Sequence, residues 1–311
     1  MEIFSVVNQK GGVAKTFTSV NVAIGLAKQG FKVLAIDLDP QGSMSISLGL
    51  ENPDDEPITV ATVFEHLKNR EEFDPREGIR QHPEGIDYLP ANIELVDTEM
   101  NMVSAMSREH LLGKYLQLLQ DDYEVVVIDC SPSLGVVTTN ALACSHQVII
   151  PIQAQYLSVK GMEQLFRTVG QVQQVLNPHL IVGGILVTMA NPRTKEYKET
   201  SASLHEKYSD KARIFETIIP SSTKAAETSK HGKSIFAHDP KGKVALAYES
   251  LIGELIRYDD EEEEYEEEEI LEVTEENEEL PDEVEEIQEE VQEEVIQEAE
   301  ENYQEDEREV G

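Results

Sequence analysis

Through its first 258 residues the chain alternates short apolar runs with longer stretches of helical period. The runs Ile3–Val7, Val33–Asp37, Ile86–Leu89, Val125–Asp129, Val148–Pro151, Gly184–Thr188 and Ile214–Ile218 are rich in β-branched residues and mostly lack polar alternation. They predict strands buried on both faces. Between them, Thr16–Gln29, Val60–Asn69, Ile93–Met106, Glu109–Gln120, Thr139–Ala143, Gly161–Leu176, Ser201–Tyr208 and Val244–Tyr258 predict helices, the first stopped by Gly30. Strand and helix in turn predict an α/β fold: a doubly wound, mostly parallel sheet flanked by helices. Ligands of such sheets sit beyond the carboxyl ends of the strands, so the residues after Val7, Ile36, Ile128, Ile150 and Val187 carry the chemical information.

Charge divides the 311-residue chain in two. Residues 259–311 hold 30 acidic residues and one base, Arg308, a charge of −29, whereas 1–258 hold 32 acids and 24 bases, a charge of −8. The expected organisation is one large domain over 1–258 and a polyacidic tail over 259–311, too polar to bury a core of its own. Within the tail, Leu280, Val284, Ile287, Val291 and Val295 form a helical stripe. The like charges around it repel at i,i+4, so the tail is expected to be disordered or marginally helical. It can be read as a solvated segment, a partner-binding helix or an intramolecular mimic of DNA.

Several classes are disfavoured. Ile3–Val7 has no basic lead, so it does not read as a signal peptide, and no apolar run is long enough to span a bilayer. Cys130 and Cys144 stand fourteen apart with no C-x-x-C, and the eight histidines show no metal-ligand spacing. A reduced, cytoplasmic protein is expected, with both cysteines as small buried residues.

The first strand runs into NQKGGVAKTF, residues 8–17. A standard phosphate-binding loop, G-x-x-x-x-G-K-[ST], would place glycines at Gln9 and Ala14. Only Lys15 and Thr16 meet that pattern, while Gly11, Gly12 and a second lysine, Lys10, are additional. Amides at a helix N-terminus favour anions, adjacent glycines let the main chain approach a polyphosphate, Lys15 can reach β- and γ-phosphates, and Thr16 can ligate Mg²⁺. Asp37 and Asp39 end one strand and Asp129 another, where a Mg²⁺–nucleotide enzyme holds its metal shell. Alanine at position 14 is expected to exclude a positive φ.

KGGVAKT, DLDPQGS and VVVIDCSPSLG, in this order, resemble the deviant-Walker ATPases of the ParA/MinD superfamily, over about residues 1–257. GIDYLPANIEL, VIIPIQAQYLSVKGMEQL, GILVTMANPRT and IIPSSTKAAE resemble its ParA (Soj-like) branch. The resemblance implies an ATPase using ATP and Mg²⁺. It implies that Lys15 serves its own nucleotide while Lys10 crosses to the partner's phosphates in an ATP-bound homodimer. It further implies that Asp39 positions the attacking water, that Thr16 ligates Mg²⁺ with Asp129 in the outer shell and Asp37 in support, and that Gly135 belongs to a γ-phosphate switch. Val13, Ala14, Phe17, Asn191 and Pro220 complete the implied nucleotide-binding set.

Among the branches, the polyacidic tail disfavours the membrane-targeted type, which ends in a basic amphipathic helix. The cysteines do not match the iron–sulfur type. The partition ATPases remain, whose ATP dimer binds non-specific DNA and meets a ParB-type centromere-binding protein that stimulates hydrolysis. Residues 191–243 carry eleven bases and seven acids. Arg193 and Lys224 align with DNA-contact positions of the family, with Lys230 and Lys233 as further candidates. The chain opens directly on its first strand, so operator recognition through an N-terminal helix-turn-helix is not expected. The resemblance implies a nucleoid-associated protein. Alternatives are a positioner of protein cargo and a non-DNA metabolic or electron-transfer ATPase.

Overall fold

The computed structural model describes residues 1–153 and 156–257, the side chains of 156–161 excepted. The tail and its stripe from Leu280 to Val295 lie outside the described residues. Met1–Leu255 form one compact unit.

This unit is built on eight strands: β1 (Glu2–Val6), β2 (Val33–Leu38), β3 (Arg80–Gln81), β4 (Asp87–Leu89), β5 (Val125–Cys130), β6 (Gln147–Gln153), β7 (Ile181–Ala190) and β8 (Ile214–Pro220). They form one sheet in the order β3-β4-β2-β5-β1-β6-β7-β8. Every pairing is parallel except β3 with β4. The helices are α1 (Lys15–Lys28), α2 (Ser43–Ser47), α3 (Val60–Asn69), α4 (Glu94–Met102), α5 (Leu111–Gln117), α6 (Val136–Cys144), α7 (Tyr156–Val175), α8 (Lys195–Tyr208), α9 (Thr223–Glu227) and α10 (Ile235–His238). Residues 243–257 form a last helix, α11.

The apolar pattern reports position in the sheet. Strands β2 and β5 are buried at every residue, as central parallel strands covered on both faces must be. Strand β8, at the edge, alternates buried with exposed or half-buried positions. The chain leaves β1 for β2 on one side of the sheet and later returns to β6 on the other. The topological switch point therefore lies at the carboxyl end of β1, where the glycine loop begins.

All seven expected strands are present, and five are longer than expected, β7 most of all, which runs from Ile181 to Ala190. Sequence periodicity overextended α4, expected to reach Met106: the helix stops at Met102, and Ser107 turns into the left-handed region with φ 54°. The stretch Glu109–Gln120 resolves into a short 3-10 turn, Arg108–His110, followed by α5. Helix α8 starts six residues earlier than expected, where the Thr194 side chain accepts from Tyr197 N. The two-residue strand β3 and the short helices α2, α9 and α10 have too few residues to show a period.

Candidate functional site

Asn8, buried at the end of β1, donates from Nδ2 to Pro151 O (2.7 Å) and accepts from Lys10 N (2.9 Å), which sets the exit of the glycine loop. Gly12 lies at φ 71°, a conformation that glycine adopts without cost. Ala14 lies at φ 66° and ψ 31°, which corrects the expectation that alanine excludes a positive φ there. Tertiary ties override its preference. Ala14 O accepts from Thr18 N (2.9 Å), closing the first turn of α1, and the carbonyl before it, Val13 O, accepts from Thr188 Oγ1 (2.9 Å) at the end of β7. No side chain caps α1 and its first turn has no acidic residue, so its amides are available to an anion.

The loop faces a cavity of about 680 Å³. Gly11, Gly12, Ala14, Lys15, Thr16, Phe17, Asp39, Pro220 and Lys233 line it. Of the other expected nucleotide positions, Val13 is buried behind the loop and Asn191 lies outside the lining. The two lysines part company: Lys15 is only 8% exposed and lines the cavity, while Lys10 is half-buried and does not line it.

Behind the loop, Asp37 and Asp129 are register partners on the adjacent strands β2 and β5. Both are fully buried. Asp37 accepts from Ser45 N (2.9 Å), Ser45 Oγ (2.7 Å) and Asp39 N (3.1 Å). Asp129 accepts from Ser19 Oγ (2.7 Å) and Thr16, but its Oδ2 has no hydrogen-bond partner. Burial, then mutual repulsion, pushes Asp37 well above the usual carboxylate range, and burial does the same to Asp129 against the pull of Ser19, Thr16 and Lys15. Burial lowers Lys15, partly offset by Asp129. An orphaned buried carboxylate oxygen beside the Thr16 hydroxyl fits a divalent cation. Among the described residues no group of three or more His, Cys, Asp or Glu could hold a metal. Phosphate and water would therefore complete the shell, as suits Mg²⁺.

Gly135 does not line the cavity. It is the N-cap of α6, and a Cβ there would clash with Glu99 Oε1. That oxygen accepts from Val137 N (3.2 Å), so a carboxylate from α4 caps α6. Sequence reading missed Glu99. It also missed Gln153, whose Nε2 donates to Gly12 O (2.8 Å), and Met189, strained at φ 49° on the cavity wall. Gln153 ends a buried strand, a detectable signal; Glu99 and Met189 show none.

Of the DNA candidates, Arg193 and Lys230 are exposed, Lys224 pairs with Asp239 (2.8 Å), and Lys233 lies on the cavity wall. Cys130 is buried and Cys144 half-buried, and both are free. No described helix is long and apolar enough to cross a membrane.

A glycine loop at the switch point of a parallel sheet, an uncapped helix and two strand-end aspartates define a P-loop nucleotide-binding protein. The AAA domain family (AAA_31) matches residues 1–182. The chain is 37% identical over 260 residues to the sporulation initiation inhibitor protein Soj of Bacillus subtilis, covering 82% of this chain and 98% of that one. It is 37% identical over 254 residues to the chromosome-partitioning ATPase Soj of Treponema pallidum, covering 81% and 96%. A crystal structure of cobyrinic acid a,c-diamide synthase from Mycobacterium smegmatis with bound ATP analog and magnesium is 35% identical, with a TM-score of 0.73, covering 83% of this chain and 95% of that one. The chain belongs to the ParA/Soj family of partition ATPases. It is an ATPase, and ATP and Mg²⁺ are its cofactors.

Proposed function

We propose that the protein is an ATP-dependent dimerising switch that binds DNA without sequence preference and partitions plasmid or chromosomal DNA with a ParB-type partner. The observation that carries this reading is the separation of the two loop lysines, one inside the cavity and one outside its lining. Lys15 meets the phosphates of its own ATP. Lys10 meets those of the neighbour across the interface, where opposed polyphosphates repel unless cations intervene. Thr16 and Asp129, with Asp37 in support, hold Mg²⁺, which neutralises phosphate charge when bound. Asp39 orients the attacking water, and Gly135 lies in the segment that responds to the γ-phosphate. A dimer doubles the basic surface around Arg193, Lys224, Lys230 and Lys233, so ATP controls DNA affinity by avidity. Nucleoid association follows from that binding.

DNA binding without nucleotide, with ADP, with ATP, and with ATP in Asp39→Ala, at two salt concentrations, tests the proposal. Binding is expected only with ATP, to persist in Asp39→Ala and to weaken with salt. An ATP dimer that never binds DNA would overturn it. A second reading, an ATP-dependent amide synthase, is favoured by the 35% identity to cobyrinic acid a,c-diamide synthase from Mycobacterium smegmatis. It predicts ATP turnover that depends on a carboxylic acid substrate and is indifferent to DNA.

A further inference from the structure

Helix α4 has two apolar faces, and the sheet needs only one. Leu95, Thr98 and Met102 face inward and are buried. On the other side Ile93, Val96, Met100 and Val103 are 51%, 41%, 69% and 56% exposed. At 100° per residue these four fall within an arc of about 80°, a continuous stripe along the solvent side. Large apolar side chains scattered singly need no explanation, but a stripe at helical spacing is what a docking groove or helix partner reads.

The charge beside the stripe selects the occupant. Glu94 and Asp97 are exposed along one flank, and Asp54, also exposed, accepts from Ile93 N (3.1 Å) at its start. Residues 91–107 contain no lysine or arginine, and Arg108, which donates to Val103 O at the end of the stripe, is paired with Glu109 (2.8 Å). A second copy packed face to face would set these acids against themselves. The tail, with 30 acids and one base, would be repelled in the same way. A helix with an apolar face bordered by lysine or arginine complements both the stripe and its flank.

The other flank carries Glu99, the carboxylate that caps α6 at Val137 N and abuts Gly135. A ligand pressed onto the stripe therefore acts one residue from the group that holds the switch segment. We infer that the outer face of α4 is the docking surface for a basic amphipathic helix of a protein partner, and that Glu99 couples its occupancy to the ATP site. This deepens the partner assignment proposed above and rests on it.

The test uses the full chain with Mg·ATP and two fluorescent peptides of about 18 residues, long enough for helix to form. One sets a leucine stripe against lysines. The other has the same composition scrambled, and so registers attraction to acidic segments elsewhere. The amphipathic peptide is expected to bind at least tenfold more tightly and to change ATP turnover. Val96→Lys/Met100→Lys is expected to lose the preference while keeping basal turnover and ATP-dependent dimerisation. In Glu99→Ala the peptide should bind without changing turnover. A photo-cross-linking residue at position 100 should capture the amphipathic peptide.

Equal binding of the two peptides, or a preference that survives the double variant, overturns the inference. So does loss of the ATP dimer in that variant, which assigns the face to a second copy, or a cross-link from position 100 to the tail. A peptide effect on turnover that persists in Glu99→Ala overturns the coupling. DNA binding in the same samples reads the proposed function separately: a chain that switches on DNA but shows no peptide preference refutes only the docking surface.

Discussion

Ala14 shows how one residue can carry strain at a site. Its φ of 66° is a left-handed conformation that costs an alanine about 1 kcal/mol or more. Replacing it with glycine is expected to raise the midpoint of thermal unfolding by about 2–4 °C, since a kilocalorie shifts a chain of this size by that much. A fall on differential scanning would show that the strain had been relieved elsewhere. The pair Asp37 and Asp129 makes a pH prediction. Burial raises both carboxyls, so the folded state binds more protons than the unfolded one above the ordinary carboxylate range. Stability of the metal-free protein is therefore greatest at acid pH, as far as these two groups go, and is lost as pH rises towards neutrality. Mg·ATP should flatten that decline, because the cation compensates the ionised pair. Melts from pH 5 to 8, with and without Mg·ATP, read it directly. Thr16, Lys15 and the three aspartates were legible in the sequence because phosphate and Mg²⁺ chemistry demands those side chains after strands. Glu99 was not: its role comes from a contact with a segment 38 residues away.

At the scale of elements, the sheet edge offers the sharpest test. Strand β8 would expose unpaired amides, but Glu254 of α11, 4% exposed, accepts from Glu216 N (3.0 Å) and Thr217 N (2.8 Å) and meets Arg213 (3.2 Å). Glu254→Ala leaves two strand amides and a guanidinium without this acceptor and is expected to cost about 3 kcal/mol in denaturant unfolding. Glu254→Gln, which keeps an acceptor oxygen, should cost clearly less; equal losses would show that the charge alone matters. The strands were legible because seven runs have the composition of buried parallel strands. Helix ends were less so. Helix α4 keeps its apolar period past Met102, yet stops because the chain must turn at Ser107 to enter α5. Its second, exposed stripe also misled the length estimate, since periodicity does not distinguish a face turned inward from one awaiting a partner.

For the whole molecule, ligand binding and folding are linked. Mg·ATP at a hundredfold excess over its Kd should stabilise the fold by about 2.7 kcal/mol. Lys15→Ala, which empties the cavity of its buried cation, should lose most of that gain, and a melt that shifts as in the wild type would place the phosphates elsewhere. The order of polar and apolar residues was enough to determine an α/β chain with a phosphate loop after its first strand, because strand burial and anion binding each require a local pattern. The charge division at about residue 258 was equally local. Tertiary structure alone decided which groups meet. It aligned Asp37 with Asp129 across two strands and held Ala14 left-handed against its own preference. It also tied Lys224 to Asp239, placed Lys233 on the cavity wall, and left the outer stripe of α4 bare. These are pairings between distant segments, and their energies exist only once the sheet order has brought the segments together.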